Sequence, residues 1–198
     1  MSALRPDLAV IARDVPRGTR VLDVGCGAGT LMAALRDGRG CDVRGLELDP
    51  VSVSAAVGRG LAVVQGDAEV ELAGYPAGGF DVAVLSQTLQ TARAPDRLVR
   101  ALTRVAPTVF VSFPNFAHWR VRASLAWGGR MPVTRLLPES WYATPNIHHV
   151  TVDDFRAFCG EAGLRVEASW FLSGDRERSA RAANLLADHA VFRLGRGP

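Results

Sequence analysis

The chain has 198 residues, of which 48% are hydrophobic and 22% charged, a composition typical of one globular domain with a substantial apolar core. Its 23 basic side chains are all arginine, which excludes Schiff-base chemistry and any lysine base or phosphate-binding lysine. The formal net charge of +3 is too small to indicate a nucleic-acid-binding protein by itself. No stretch approaches the ~20 apolar residues of a membrane span, and we expect a single domain over residues 1–198.

The cysteines indicate a reducing compartment. Cys26, Cys41 and Cys159 are odd in number and far apart, and they contain no CxxC pair. The adjacent His148 and His149 have no Cys, Asp or Glu at ligand spacing, so no metal site is expected. The N-terminal residues lack the apolar core of a signal peptide. A cytoplasmic protein without membrane contact is therefore predicted.

Helical and strand-like stretches alternate along the chain, which is typical of an α/β domain around a mainly parallel sheet. Helices are predicted over 8–15 and 30–36, after Asp49 as cap with Pro50 in the first turn, and over 95–105 and 151–162. Strands are predicted over 20–24, 43–48, 61–65, 80–86, 109–113, 166–172 and 190–194. This pattern predicts a seven-stranded sheet flanked by helices.

Residues 114–150 interrupt this alternation. The stretch contains three of the four tryptophans, three of the four histidines and the Gly128-Gly129 pair. It is predicted to be an insertion of short helices and loops after the fifth strand, and long connections of this kind in compact domains are usually functional.

The most informative stretch, VLDVGCGAGTL at 21–31, is a strand that runs into three alternate glycines and then a helix. Small residues there let a ligand approach the backbone and leave amide hydrogens free at the helix start. Thr30 stands where a dinucleotide-binding GxGxxG pattern needs its last glycine, so pyrophosphate fits poorly. Asp23 would repel a pyrophosphate, whereas it can orient a cationic ligand.

Two further carboxylates follow predicted strands. Glu47 ends the second strand at the offset expected of a ribose-binding acid, and Asp49 has the capping role. Asp67 follows the third strand and could accept a hydrogen bond from an adenine amino group. Because ligands of open α/β sheets bind at the carboxyl ends of the strands, the acids and glycines together predict a site for an adenosine-containing cation. The alternative is that Glu47 and Asp67 are solvated acids at strand ends.

This pattern resembles the class I S-adenosylmethionine-dependent methyltransferases, whose Rossmann-like, mainly parallel seven-stranded sheet has an antiparallel final strand. A narrower resemblance to the methionine biosynthesis protein MetW family rests on LSQTLQ at 85–90, VSFPNF at 111–116, HWRVR at 118–122, GRMPVT at 129–134, WYATPNIH at 141–148 and the opening RPDL at 5–8. It covers nearly the whole chain. The family implies a methyltransferase-like protein that works with a homoserine O-acyltransferase, the MetX partner, in methionine biosynthesis.

The resemblance implies S-adenosylmethionine or S-adenosylhomocysteine as ligand. The cofactor-binding residues expected from it and from the strand ends are Asp23, Gly25, Cys26, Gly27, Gly29, Glu47, Leu48, Asp67, Ala68 and Ser86. The leading hypothesis is a binding subunit that activates the acyltransferase, and the alternative is an active methyltransferase on a small-molecule acceptor. His118 is the best candidate for a catalytic base, although a loop histidine is more often a packing or hydrogen-bonding residue. Ser86 lacks the GxSxG context of a hydrolase nucleophile.

The positive charge is concentrated in the middle of the chain. Residues 97–138 contain seven arginines and no Asp or Glu, so the remaining residues sum to −4. The candidate partner-binding residues within and after this stretch are Trp119, Arg120, Arg122, Arg130, Arg135, Trp141 and Tyr142. Aromatic side chains and arginine are favoured at interface hot spots. The alternatives are rings packed on the sheet and arginines on a solvated face, and no nucleic-acid-binding motif is present.

Overall fold

The structure is a computed structural model that describes residues 4–134 and 137–196. The strands are β1 (Arg20–Val24), β2 (Asp42–Glu47), β3 (Ala62–Gln65), β4 (Val82–Ser86), β5 (Thr108–Pro114), β6 (Leu164–Ser173), β7 (Arg176–Glu177) and β8 (His189–Arg196). The α-helices are α1 (Pro6–Asp14), α2 (Thr30–Arg39), α3 (Pro50–Val57), α4 (Ala68–Glu71), α5 (Pro95–Val105), α6 (Trp119–Gly128), α7 (Val152–Glu161) and α8 (Ala183–Leu186).

The described strands form one sheet in the order β3-β2-β1-β4-β5-β8-β6-β7. Strands β1 to β5 pair in parallel, and β8 is antiparallel to both β5 and β6. The predicted α/β class with an antiparallel final strand is confirmed. The structure adds an eighth strand, because β7 turns back onto the end of β6 within the connector. Two residues are too short to leave an alternating pattern in the sequence.

Helix starts are set by local chemistry. The Asp49 side chain accepts hydrogen bonds from the amides of Val51 and Ser52, so the predicted cap is confirmed. At the start of α7, the Thr151 hydroxyl accepts a hydrogen bond from the amide of Asp154. Helix α1 begins at Pro6, two residues earlier than predicted. Proline is favoured in a first helical turn because its missing amide hydrogen has no partner there in any case. The earlier start brings Asp7 into the helix.

The core lies on both faces of the sheet. In β1, Leu22 and Val24 contribute to the apolar cluster that includes buried residues of α5 and α7, whereas Val21 contributes to the cluster with α1 and α2. Strand β4 is buried along its whole length, as expected for a central parallel strand covered on both faces. This burial holds the carboxyl ends of β1, β2 and β4 in fixed positions.

The long connection between β5 and α7 is anchored at its two ends by one buried side chain. The Oδ1 atom of Asn115 accepts hydrogen bonds from the amides of Ala117 (3.2 Å) and Val152 (3.3 Å), and its Nδ2 donates to the carbonyl of Ala187 (2.9 Å). Between these anchors, helix α6 has a single buried residue, Val121. No helix in the described ranges is long and apolar enough to cross a membrane.

Candidate ligand-binding site

Two adjoining cavities lie at the carboxyl ends of β1, β2 and β4. The larger, of about 550 Å³, is lined by residues that include Glu47, Leu48, Asp67, Ala68 and Thr88. The smaller, of about 170 Å³, is lined by Arg5, Leu8, Asp23, Cys26, Gly27, Ala28, Thr30, Leu31 and Ser86, and both cavities share Gly25. The structure therefore brings nine of the ten predicted cofactor-binding residues to these two cavities.

The alternate glycines lie in the turn between β1 and α2. Gly25 has φ +70°, and a Cβ there would overlap the side chain of Thr88, which follows β4. Gly29, the tenth predicted residue, does not line a cavity. It precedes α2 with φ +75°, and a Cβ there would overlap Leu61. Gly25 thus allows a close approach of two strand ends, whereas Gly29 allows close packing of the helix.

Glu47 is held in place by the backbone. Its Oε2 accepts a hydrogen bond from the amide of Gly27 (2.7 Å) and its Oε1 accepts one from the amide of Asp49 (2.9 Å). A carboxylate oxygen can accept more than one hydrogen bond, so Glu47 retains capacity toward the cavity. These bonds make it a fixed acceptor at the end of β2 rather than a freely solvated acid.

Asp67 has partners on both oxygens. Oδ1 accepts from the amide of Glu69 (3.0 Å) at the start of α4, and Oδ2 accepts from Arg93 (2.8 Å). Arg93 also lines the larger cavity and was not among the predicted site residues. The role of Asp67 toward an adenine amino group stays a prediction.

Asp23 differs from the other acids. Its side chain is 2% exposed and accepts no hydrogen bond within the described part of the chain. Burial raises the pKa of this carboxyl to about 7, opposed by the positive charge of Arg5 and reinforced by the negative charge of Glu47. A buried carboxylate without a donor is costly. A cationic group in the smaller cavity would offset this cost, so the residues present fit such a ligand.

The N-terminal end of α1 supplies two site residues that sequence reasoning did not identify. Arg5 lines the smaller cavity and donates to Ser86 Oγ (2.9 Å) and Asp7 Oδ1 (3.2 Å). The buried Asp7 also accepts from Ser86 Oγ (3.0 Å) and Ser112 Oγ (2.9 Å). Although burial raises the pKa of Asp7, the charge of Arg5 and these hydrogen bonds together lower it below its usual value. Two signals were available in the sequence: the proline between Arg5 and Asp7, which indicates a helix start, and the RPDL motif at 5–8.

His118 caps helix α6. Its Nδ1 accepts from the amide of Arg120 (3.3 Å), and its Nε2 lies 3.3 Å from Asp188 Oδ1. Burial and the charge of Arg120 lower the pKa of His118, while Asp188 opposes the shift. Nδ1 thus has a hydrogen-bond partner within the protein, and Nε2 lies beside a carboxylate. The catalytic role of His118 stays a prediction.

No nucleophilic thiol or metal cluster is present among the described residues. Cys26, Cys41 and Cys159 are free and buried. Burial raises the pKa of Cys26 to about 12 and that of Cys159 to about 11, so both are protonated near neutral pH. No group of three His, Cys, Asp or Glu side chains in the described ranges could hold a metal ion.

The candidate partner-binding residues are mostly exposed. Trp141 and Tyr142 are 73% and 77% exposed and contact each other edge-on, which excludes packing of these rings on the sheet. Trp119 is about half exposed and lies under the guanidinium of Arg120. Arg130 is exposed, and the Arg122 guanidinium donates to the carbonyl of Ala117 (2.6 Å). Arg135 lies outside the described residues. Trp127, another aromatic residue of this connection, is the most exposed of these rings, at 87%.

Comparison with known proteins places this arrangement in a family. The profile of the methionine biosynthesis protein MetW family matches residues 5–194. The chain is 30% identical to the bifunctional methionine biosynthesis protein MetXA/MetW of Rhodopirellula baltica, over 98% of this chain and 33% of that protein. It is also 31% identical to the ubiquinone biosynthesis O-methyltransferase of Xanthomonas axonopodis pv. citri, over 80% of this chain and 67% of that one.

Solved structures show the same fold. An S-adenosylmethionine-dependent methyltransferase from Mesorhizobium loti superposes with a TM-score of 0.69 at 20% identity, over 96% of each chain. A TehB-like methyltransferase from Corynebacterium glutamicum superposes with a TM-score of 0.65 at 19% identity, over 98% of this chain and 89% of that one. The class I methyltransferase fold predicted from the sequence is thus confirmed. Because the family profile spans nearly its whole length, the chain belongs to the methionine biosynthesis protein MetW family.

Proposed function

We propose that the chain binds S-adenosylmethionine or S-adenosylhomocysteine in the two adjoining cavities and acts as a cytoplasmic subunit that activates a homoserine O-acyltransferase. The observation that carries the ligand assignment is the buried Asp23 carboxylate, which has no hydrogen-bond donor and faces a cavity also lined by Arg5. An acid and a guanidinium on one small cavity suit the ammonium and carboxylate of an amino-acid group.

The rest of the ligand follows from the strand ends. In this proposal the ribose hydroxyls donate to Glu47, and the adenine lies against Leu48 and Ala68 with its amino group toward Asp67. Gly25 and Gly27 admit the ligand close to the backbone, and Cys26 and Ser86 line the amino-acid end. The larger cavity, of about 550 Å³, falls within the usual size range of small-molecule sites.

The partner assignment rests on two observations. One relative is a bifunctional protein named MetXA/MetW, and this chain spans about a third of its length. The connection between β5 and α7 exposes rings and arginines together, as protein interfaces often do. The proposed docking surface consists of Trp119, Arg120, Arg122, Trp127, Arg130, Trp141 and Tyr142, with Arg135 as the candidate outside the described residues.

A second candidate function is methyl transfer to a small molecule, favoured by the ubiquinone biosynthesis O-methyltransferase relatives. The two functions differ in what the bound ligand does. A methyltransferase converts S-adenosylmethionine to S-adenosylhomocysteine in the presence of an acceptor. A binding subunit changes the activity of its partner without that conversion.

The structure also suggests how ligand and partner could be coupled. Pro145, four residues after Trp141, lines the larger cavity, and the amides of Ile147 and His148 are bonded to the carbonyl of Gln90 beside it. In this proposal, docking of the partner repositions this segment, and a ligand that contacts it then binds partner-bound and free protein with different affinities. Equal affinity for S-adenosylhomocysteine with and without the acyltransferase would contradict this coupling.

The ligand proposal is tested by calorimetric titration of the purified protein with S-adenosylhomocysteine. Replacement of Asp23 by Asn should weaken binding by about a hundredfold, because loss of a buried charge partner costs about 3 kcal/mol. The matched control, Asp81→Asn, removes an exposed carboxylate that pairs with Arg20 before β4, and it should leave the affinity unchanged. No binding by the unaltered protein, or equal binding by Asp23→Asn, would contradict the assignment.

The partner proposal is tested by co-expression with the homoserine O-acyltransferase of the same organism. We expect co-elution in size-exclusion chromatography and higher acyltransferase activity in the complex. Arg130→Glu should slow association in a salt-dependent way, with Arg156→Glu on α7 as a control outside the proposed surface. An acyltransferase that is equally active alone would contradict the proposal. Turnover of S-adenosylmethionine with a methionine-pathway metabolite would instead favour the methyltransferase.

A further inference from the structure

A third cavity, of about 330 Å³, lies beside the smaller of the proposed cofactor cavities, and no ligand is assigned to it in the function proposed above. The polar side chains among its described lining residues are Arg5, Asp7, Gln87, His118, Arg120, Thr134, Asp188 and His189. Arg5 also lines the smaller cofactor cavity, so the two cavities lie on either side of one guanidinium. A molecule in the third cavity would therefore lie next to the amino-acid end of the proposed cofactor.

The end of β4 divides its side chains among the three cavities. Ser86 lines the smaller cofactor cavity, Gln87 the third cavity and Thr88 the larger cofactor cavity. Gln87 has φ +51°, and no other non-glycine residue in the described ranges has a positive φ. Its amide donates to the Ser112 carbonyl (2.8 Å), and its carbonyl accepts from Gln90 Nε2 (2.8 Å). Backbone strain held in this way is concentrated at ligand-binding and active sites.

The charges on this cavity leave one cation without an anion. Asp7 is already bonded to Arg5, Ser86 and Ser112. Asp188 accepts from the amide of Gly174 (2.9 Å), and its Oδ1 lies 3.3 Å from His118 Nε2. Arg120 stacks over Trp119 at 5.3 Å, and no carboxylate of the described residues forms an ion pair with it. No acidic residue lies in the first turn of α6, where Arg120 sits.

We propose that the third cavity binds a small carboxylate anion beside the cofactor site. The guanidinium of Arg120 contacts the carboxylate, since a planar fork of donors matches its two oxygens. The side-chain amide of Gln87, whose Nε2 is 3.4 Å from Asp7 Oδ2, supplies a further polar contact through its oxygen or nitrogen. Asp188 lies on the same cavity and can receive an ammonium group if the carboxylate belongs to an amino acid. The site requires neither the cofactor nor the acyltransferase.

The probes are three molecules with one carbon skeleton: butanoate, L-2-aminobutanoate and the neutral butanamide. Each is titrated into the full chain and followed by NMR chemical shifts, first without cofactor and then with S-adenosylhomocysteine. We expect at least one carboxylate to bind more tightly than butanamide. Equal affinities of the two carboxylates would indicate a simple carboxylic acid, and tighter binding of L-2-aminobutanoate an amino acid.

Arg120→Gln should weaken carboxylate binding about tenfold, the usual effect of losing one hydrogen-bonded charge. Arg130→Gln is the matched control, because Arg130 is exposed on the same connection and does not line the cavity. Both variants should bind S-adenosylhomocysteine as the unaltered protein does, which separates this site from the cofactor proposal. The proposal is overturned if neither carboxylate binds more tightly than butanamide, or if Arg120→Gln binds them as tightly as the unaltered protein.

Discussion

Side chains at the carboxyl ends of the parallel strands differ from those of the connection between β5 and α7 in burial and in hydrogen bonding. At the strand ends, Glu47, Asp49 and Asp67 are held by backbone amides, and only the buried Asp23 lacks a donor. In the connection, Trp127 and Tyr142 extend into solvent with most of their surface exposed. The first region has fixed polar groups around a cavity, whereas the second has apolar side chains exposed to solvent.

This difference indicates two kinds of binding. Fixed acceptors around a cavity suit a small ligand, because little ordering is needed when it binds. Several large exposed rings on one connection are typical of a surface that another protein covers. Substitutions in each region, and a change of pH, separate the two kinds of binding.

Asn115→Ala should destabilise the protein by about 5 kcal/mol. The substitution removes the partner of the buried amides at both ends of the connection and of the Ala187 carbonyl after α8, and each loss costs about 1–3 kcal/mol. Urea unfolding followed by circular dichroism measures the loss. Asn146→Ala is the control, because that side chain makes no hydrogen bond within the described residues. A loss below about 1 kcal/mol would show that Asn115 does not anchor the connection.

Gly25→Ala should lower the free energy of unfolding by about 3 kcal/mol and weaken S-adenosylhomocysteine binding. A methyl group there overlaps Thr88 and also strains a backbone with φ +70°. Gly78→Ala has a similar φ of +67° but open space, so it should cost only about 1 kcal/mol. Addition of Thr88→Ala should recover part of the loss in the Gly25 variant. If the two glycine variants unfold at the same urea concentration, the close approach of β1 and β4 is not what requires Gly25.

Trp127→Ser should weaken association with the acyltransferase by about 2 kcal/mol, the usual loss at an interface hot spot. It should change the free energy of unfolding by less than about 0.5 kcal/mol, since the ring is 87% exposed. Val121→Ala in the same helix is the opposite case, because this residue is 1% exposed and its truncation should destabilise the fold by about 2 kcal/mol. An unchanged affinity for the acyltransferase would remove Trp127 from the docking surface.

Binding of S-adenosylhomocysteine should be about fivefold weaker at about pH 6 than at about pH 7, a difference of about 1 kcal/mol. Burial raises the pKa of Asp23 to about 7, and only the ionised carboxylate attracts the ligand's ammonium. Affinity therefore falls as the pH falls through that value. Calorimetry at both pH values measures the change, and Asp23→Asn should abolish it. A flat profile in the unaltered protein would contradict the pairing of Asp23 with the ammonium.

Much of the ligand end was predictable because its determinants are local. A buried strand, alternate glycines and a helix are continuous in the sequence. Asp23 and Glu47 belong to strands, and Asp67 is two residues after the end of β3. Parallel strands bring their carboxyl ends to one edge, so spacing along the chain was sufficient to place these acids together. The caps at Asp49 and Thr151 depend only on amides two or three residues away.

Other features depended on long-range packing. Helix α1 folds back over the sheet, so Arg5 and Asp7 meet Ser86 and Ser112, which are far away in the sequence. Asn115 contacts both ends of the connection and the loop after α8, and Gln87 adopts its positive φ only because the ends of β4 and β5 hold it.

The sequence by itself determined the fold class, the glycine-rich loop after β1 and the acids at the strand ends, because hydrophobic periodicity and turn chemistry act over a few residues. The tertiary structure alone decided which acid lacks a donor, which rings stay exposed and which cavity contains an arginine without an anion. Those properties are set by burial and by pairing between distant segments, and no local pattern reports them.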